Sequence, residues 1–163
     1  MEDLAKKIKQ IRKGNKDALI HLILERKNEY YKLAYVYLGN EEDAMDALED
    51  MIVILYENIK NLRNPESFYS WSKKILVNCC KQILKKRNKI IPTEETPEQI
   101  YVERYEQKEQ KADLEKCLAL LSSEQQETIR LRYFLDLDYN TIAQVLDIPV
   151  GTVKSRISIG LKR

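Results

Sequence analysis

Apolar side chains recur along this chain at intervals of three and four, the spacing of one helix face, and short polar breaks separate the stretches that carry the pattern. Residues 3–38 read as two helices broken near Gly14-Asn15. The second carries Leu19, Leu22, Ile23, Arg26, Tyr30, Leu33 and Tyr37 on one mainly apolar stripe, and Gly39-Asn40 stops it. A helix from Glu41 to about Asn61 follows. Its stripe is Ala44, Ala47, Leu48, Met51, Ile52, Leu55 and Ile59, and Asp43, Asp46, Glu49 and Asp50 line its opposite face. The three acids of its first turn suit the positive end of a helix dipole. Arg63 to Ser67 is a short loop in which Asn64 or Ser67 caps the next helix, because Pro65 keeps Asn64 out of the helical region. That helix runs from Ser67 to about Asn88, with Phe68, Trp71, Ile75, Cys79 and Ile83 on one side and basic residues on the other.

From residue 89 the pattern lapses into Pro92, Pro97, a Thr-Glu-Glu-Thr run and a Glu/Gln/Lys-rich stretch. Residues 91–111 therefore read as an acidic linker between a domain of residues 1–90 and another of residues 112–163. The last domain reads as four helices. Ala112 to Leu121 is the first. Ser122 with Gln125 forms a capping box that opens the second, which runs through Phe134. After a turn at Asp136 to Asp138 come Tyr139 to Leu146 and about Val150 to Lys162. The fold expected is all-α, two helical domains joined by a linker, and the C-terminal domain contains a helix-turn-helix.

The spacing within Tyr139 to Ile157 carries that last point. Ala143 stands where two helices cross closely, and Ile142, Leu146, Ile148, Val153 and Ile157 supply a shared core. Asp147 fills a turn position often held by Gly, and Asp tolerates the left-handed conformation better than most residues. Pro149 cannot continue the preceding helix. Thr152, Lys154, Ser155 and Arg156 then sit at the exposed N-terminal end of the last helix, the end that enters the major groove in this motif. Their side chains reach base edges or phosphates. The plainer alternative is a helical hairpin with a polar outer face; the small residue, the spacing and the basic helix start coincide against it.

Charge sharpens the picture. The net charge is only +2, but residues 41–59 hold seven acidic side chains and no basic one, while residues 68–91 hold seven basic side chains and no acidic one. Such segregation suits two different partners. Lys74, Asn78 and Lys81, at i, i+4 and i+7, share a face that could track a nucleic-acid strand. Cys79, Cys80 and Cys117 lack metal-ligand spacing, and the lone His21 lies on a predicted apolar stripe. No metal and no cofactor are expected, and the cysteines read as small buried or half-buried thiols. The start, MEDLAKKIKQ, has no apolar signal core, and the longest uncharged apolar run, Met51 to Tyr56, is too short to span a bilayer. A cytoplasmic protein without membrane insertion is expected.

Three segments carry a family resemblance. Ile148-Pro-Val-Gly-Thr-Val-Lys-Ser-Arg-Ile157 resembles the promoter-reading helix of extracytoplasmic-function (ECF) sigma factors of the sigma-70 superfamily. Glu42-Asp-Ala-Met-Asp-Ala-Leu-Glu-Asp50 resembles that family's acidic helix, and Phe68-Tyr-Ser-Trp71 continuing to Asn78 resembles its Phe-x-x-Trp stretch. The three stand in the family's order and cover most of the chain. The sequence departs at Cys79-Cys80, where small residues are usual, and at Ser158-Ile159-Gly160, where the family continues with aromatic or basic residues.

The resemblance implies transcription initiation without covalent chemistry, in a class tied to stress responses. Asp43, Asp46, Leu48, Asp50 and Ile52 would dock on the clamp helices of the largest subunit of RNA polymerase core. Asn64, Ser67, Phe68, Trp71, Lys74, Asn78 and Lys81 would recognise and open the −10 element of promoter DNA. Thr152, Lys154, Ser155 and Arg156 would read the −35 element. An anti-sigma factor, membrane-anchored in some members, is the further partner implied. From composition alone the acids read as a solvated helix face, and Trp71 is more often core than a stacking platform, since Phe68 and Ile75 share its stripe. A regulator that does not melt DNA has no need of the acidic helix or the Phe68–Trp71 stretch. An enzyme would need a phosphate loop, metal cluster or nucleophile–base pair that this sequence lacks. A purely protein-binding adaptor leaves the basic stripe unused.

Overall fold

The computed structural model describes residues 2–90 and 116–161. Every regular element among the described residues is helical. The first part comprises α1 (Glu2–Arg12), α2 (Lys16–Glu25), α3 (Lys27–Leu38), α4 (Glu41–Asn58) and α5 (Phe68–Ile90), with single 3-10 turns at Ile59–Asn61 and Pro65–Ser67 between the last two.

Residues 3–38 thus make three helices where the pattern predicts two. The extra break is at Arg26, whose backbone (φ −121°, ψ 32°) leaves the helical region while its N–H still bonds to the carbonyls of Ile23 and Leu24. The guanidinium of Arg26 lies 3.6 Å from the centre of the Tyr69 ring, a cation–π contact that holds the corner. The apolar stripe resumes in phase beyond the corner, so periodicity cannot reveal it. Gly39 ends α3 in the left-handed conformation (φ 75°), as its position in the sequence requires. Asn40 then caps α4 by accepting the Asp43 N–H at 2.8 Å. Ala44 and Ala47 are fully buried on α4 and, having no more than a methyl group each, allow close packing.

α5 departs further from expectation. The Asn64 side chain accepts the Glu66 N–H and so caps the 3-10 turn Pro65–Ser67 that leads into α5; Ser67 offers its carbonyl to the Ser70 hydroxyl. The buried residues of α5 are Phe68, Ser72, Lys73, Leu76, Val77, Cys79, Cys80 and Leu84, whereas Trp71, Ile75 and Ile83 are half-buried. The burial is rotated and broader than predicted because α5 is covered on two sides, by α3 and α4 and by the helix Tyr139–Leu146 of the second part. Buried Ser72 is satisfied there: it pairs with the Tyr30 hydroxyl at 2.6 Å and donates to the Tyr69 carbonyl at 2.9 Å. Cys79 and Cys80 lie inside this core, while Cys117 is exposed. His21 is exposed on α2 and not on its apolar face.

The second part comprises a short helical turn over residues 116–119, then α6 (Ser123–Tyr133), α7 (Tyr139–Leu146) and α8 (Val150–Leu161). The linker predicted over 91–111, and the first four residues of the helix predicted from Ala112, lie outside the described residues. Ser122 opens α6 with the predicted capping box, its hydroxyl accepting the Gln125 N–H and the Gln125 side chain accepting the Ser122 N–H, each at 3.2 Å. Ile129, Leu131, Ile142, Ala143, Val145, Val153 and Ile157 fill the core of this part, which is continuous with that of the first. No described helix is long and apolar enough to cross a membrane.

Candidate nucleic-acid and protein interfaces

The turn between α7 and α8 is built from three local features. Asp138 caps α7, its carboxylate accepting the Thr141 N–H at 2.7 Å, and that bond holds the carboxyl below its ordinary pKa. Asp147 ends α7 in the left-handed conformation (φ 57°, ψ 48°), its N–H returning to the Ala143 carbonyl. The Pro149 carbonyl then accepts the N–H groups of Thr152 and Val153 at 3.0 and 3.2 Å, which starts α8 one residue after the proline. Ala143 is 7% exposed at the crossing.

This geometry brings the four predicted residues to one end of α8. Lys154 and Ser155 are exposed; Thr152 and Arg156 are half-buried. The Arg156 guanidinium stands 3.6 Å from the Glu124 carboxylate at the start of α6, an ion pair that steadies it at the surface. Within Ser158-Ile159-Gly160, only Gly160 is buried. A Cβ built on Gly160 would come within 2.7 Å of Ile129 Cδ1, so the absence of a side chain lets α8 lie tightly on α6.

On α5, Asn78 and Lys81 are exposed and Lys74 is half-buried, all on one side of the helix. Trp71 is half-buried, its ring centre 6.2 Å from that of Phe68. Phe68 itself is fully buried, so it supports Trp71 from below and presents nothing to a base. Asn64 is exposed, with its side-chain oxygen already holding the turn. Lys73, one of the seven basic residues of the stretch, is only 8% exposed, and burial pulls its ammonium below the ordinary lysine pKa.

The acidic helix α4 also divides its predicted set. Asp46 and Asp50 are exposed and Ile52 is half-buried. Asp43 turns inward, where its carboxylate takes the Arg87 guanidinium and a 2.9 Å bond from the Asn40 side chain. Leu48 is 7% exposed and belongs to the core, so it offers no surface to a partner. Met45 and Val53, which the reading of the sequence passed over, are exposed apolar residues beside Asp46 and Asp50. Their spacing with Glu49, at i, i+4 and i+8, was the available signal.

Acids of the second part stand against α5, and no local pattern in the chain marks them. Glu127 of α6 stands 3.1 Å from Lys81 and accepts the Tyr37 hydroxyl at 2.8 Å, and Asp147 stands 3.4 Å from Lys74.

Residues 22–90 match the family described as Sigma-70 region 2, and residues 111–163 match Sigma-70, region 4. The chain is 31% identical over 147 residues to RNA polymerase sigma factor SigV of Bacillus subtilis, covering 90% of this chain and 89% of that protein. It is 27% identical to ECF RNA polymerase sigma factor SigW of the same organism, covering 96% and 92%. In fold it resembles CnrH, solved in complex with the cytosolic domain of CnrY, with a TM-score of 0.67 at 20% identity over 96% of this chain and 90% of that one. The helix-turn-helix, the acidic and basic helices that precede it and these matches along nearly the whole length make the chain a member of the extracytoplasmic-function group of the sigma-70 family of RNA polymerase sigma factors.

Proposed function

We propose that this chain directs core RNA polymerase to promoters through two separate DNA-facing surfaces, the N-terminal end of α8 for the −35 element and the outer side of α5 for the −10 element. The observation that carries the proposal is the exposed start of α8, where Lys154 and Ser155 project with Thr152 and Arg156 from a helix-turn-helix closed by a left-handed Asp147. Such a helix end fits the major groove, where Lys and Arg reach guanine edges or phosphates. The working units are residues 1–90 and 112–163, with residues 91–111 joining them.

The chemistry is non-covalent, so the factor acts as a binding protein and not as an enzyme, in the cytoplasm with the polymerase. Opening the −10 element means unstacking bases at a cost of a few kcal/mol per step. Lys74, Asn78 and Lys81 offset that cost by holding the separated strand, and Trp71, propped by Phe68, offers a ring edge to the first displaced base. Asn64 and Ser67 shape the adjoining loop. Asp46, Asp50 and Ile52, joined by Met45 and Val53, dock on the clamp helices of the largest polymerase subunit; Asp43 and Leu48 position that face from beneath. The likeness to CnrH supports an anti-sigma factor as a further partner. A cavity of ≈ 380 Å³ between the two parts, lined among others by Tyr37, Lys81, Leu84, Glu127 and Leu131, offers it a seat. Run-off transcription with purified core polymerase and a promoter library tests the whole proposal: promoter-dependent transcripts are expected, and failure to join core or to initiate would overturn it.

A further inference from the structure

We propose that a second, smaller cavity, walled by α3, α5 and the segment between α6 and α7, is a binding site for a small aliphatic carboxylate of amino-acid size, with the Lys73 ammonium holding its charge. The cavity measures ≈ 230 Å³. Pockets for drug-sized ligands start at about 300 Å³, so this one suits a molecule of fewer heavy atoms. It is lined by none of the residues assigned above to DNA, to polymerase or to the anti-sigma seat, so the site stands apart from those roles. Its apolar walls are Leu33 of α3 on one side and Phe134, Leu135 and Leu137 on the other. The Phe134–Leu137 segment keeps its shape by its own bonds. The Leu137 N–H donates to the Leu131 carbonyl at 3.2 Å, and the Arg132 guanidinium donates to the Leu137 carbonyl at 3.1 Å. Asp136 makes the bend in the left-handed conformation (φ 53°). A cavity shaped in advance costs little to organise when a ligand enters.

Lys73 supplies the polar end of the site. It is 8% exposed, it lines the cavity, and among the described residues no carboxylate or carbonyl pairs with its ammonium. The two acids that attract it are engaged elsewhere: Glu29 pairs with Arg26 at 3.7 Å, and Asp138 caps α7. Burial therefore prevails over their attraction and pulls the ammonium below the ordinary lysine pKa. A buried cation without a partner is costly. A ligand carboxylate set against it removes that cost, and the surrounding apolar walls demand an aliphatic body behind the carboxylate. The combination excludes a bare inorganic anion, which would leave Leu33, Phe134, Leu135 and Leu137 uncovered. Glu29, exposed at the rim, adds an acceptor for an α-ammonium, the one feature here that would favour an amino acid over a plain fatty acid.

The test titrates the full chain with isocaproate, with its neutral isostere isocaproamide and with L-leucine, by calorimetry and by amide NMR. Isocaproate should bind with millimolar to high-micromolar affinity, as suits so small a ligand, and should shift the amides of Leu33 and of Phe134 to Leu137. Isocaproamide should bind roughly tenfold more weakly or worse, the loss of one charge-assisted bond. Lys73→Met keeps the apolar stem and removes the charge, so it should fold as well as the wild type or better and lose isocaproate binding by a similar factor. Lys60→Met, at an exposed site elsewhere, should bind as the wild type does. Tighter binding of L-leucine than of isocaproate identifies the ligand as an amino acid, and the reverse order as a fatty acid; both uphold the site. Absence of heat and of shifts with either carboxylate at millimolar concentration would overturn it. So would equal binding of isocaproate and isocaproamide, a comparison made on the wild type alone and therefore decisive even if Lys73→Met folds poorly. Undiminished isocaproate binding by Lys73→Met would overturn the role given to the ammonium and the proposal with it.

Discussion

Single side chains here decide which acids are structural and which are free to meet a partner. Asp43 and Asp50 lie on the same helix and look alike in the sequence, yet Asp43 is held by Arg87 and Asn40 while Asp50 is exposed. Asp43→Ala should lower the stability of the first part by about 1–3 kcal/mol, since it strips a half-buried guanidinium of its carboxylate. Asp50→Ala should leave the melting curve unchanged and weaken association with core polymerase; urea unfolding and a core-binding titration distinguish the two. Asp138 gives a similar contrast within one position. Asp138→Ala should cost about 1 kcal/mol of helix capping, while Asp138→Asn keeps most of it. The Asp138 carboxyl is lowered from 3.8 in the fold, so the bonus of its charge is present above that pH and is lost as the pH falls through the lower folded value. Thermal melts of the three proteins at neutral and acid pH check this. The capping box at Ser122 and Gln125 and the left-handed Asp147 were legible in the sequence, because both are written in adjacent residues. The inward turn of Asp43 was not, since its partner lies 44 positions further along at Arg87.

The helices themselves were largely readable, and where they were not, one cause recurs. A stripe at three-to-four spacing shows that a helix exists and roughly which side is buried; it cannot show a corner that keeps the phase, as at Arg26, or a second buried side, as on α5. The helix-turn-helix was the most legible element because its constraints are short-range: Ala143 at the crossing, Asp147 in the turn and Pro149 before the next helix. α5 and α8 should be separable in function. Arg156→Ala should weaken binding to a duplex −35 element by tenfold or so, the loss of roughly 1–3 kcal/mol expected when a base or phosphate contact is removed. Asn78→Ala should spare that binding and impair opening of the −10 element, read by permanganate footprinting of unpaired thymines. The opposite pattern would reverse the roles given to the two helices. Gly160, which looks like an interruption of α8, is instead buried against the Ile129 side chain of α6.

At the scale of the whole molecule, the two parts share one apolar cluster and the ion pairs across their junction. None of this was legible in the sequence, because docking across a linker leaves no periodic trace in either partner. The same architecture sorts the three thiols. Cys79 and Cys80 are enclosed in the core of the first part, and burial pushes the Cys79 thiol up to about 11 and that of Cys80 higher still, while Cys117 is exposed on the second. A maleimide added to the native protein should therefore mark it once, at Cys117. Further marks at Cys79 and Cys80 should appear only as the first part comes apart, which mass spectrometry would read as a rise from one adduct to three. The chain thus carries its own chemical clock of unfolding, with one thiol for attaching a reporter and two that stay silent for as long as the core is closed.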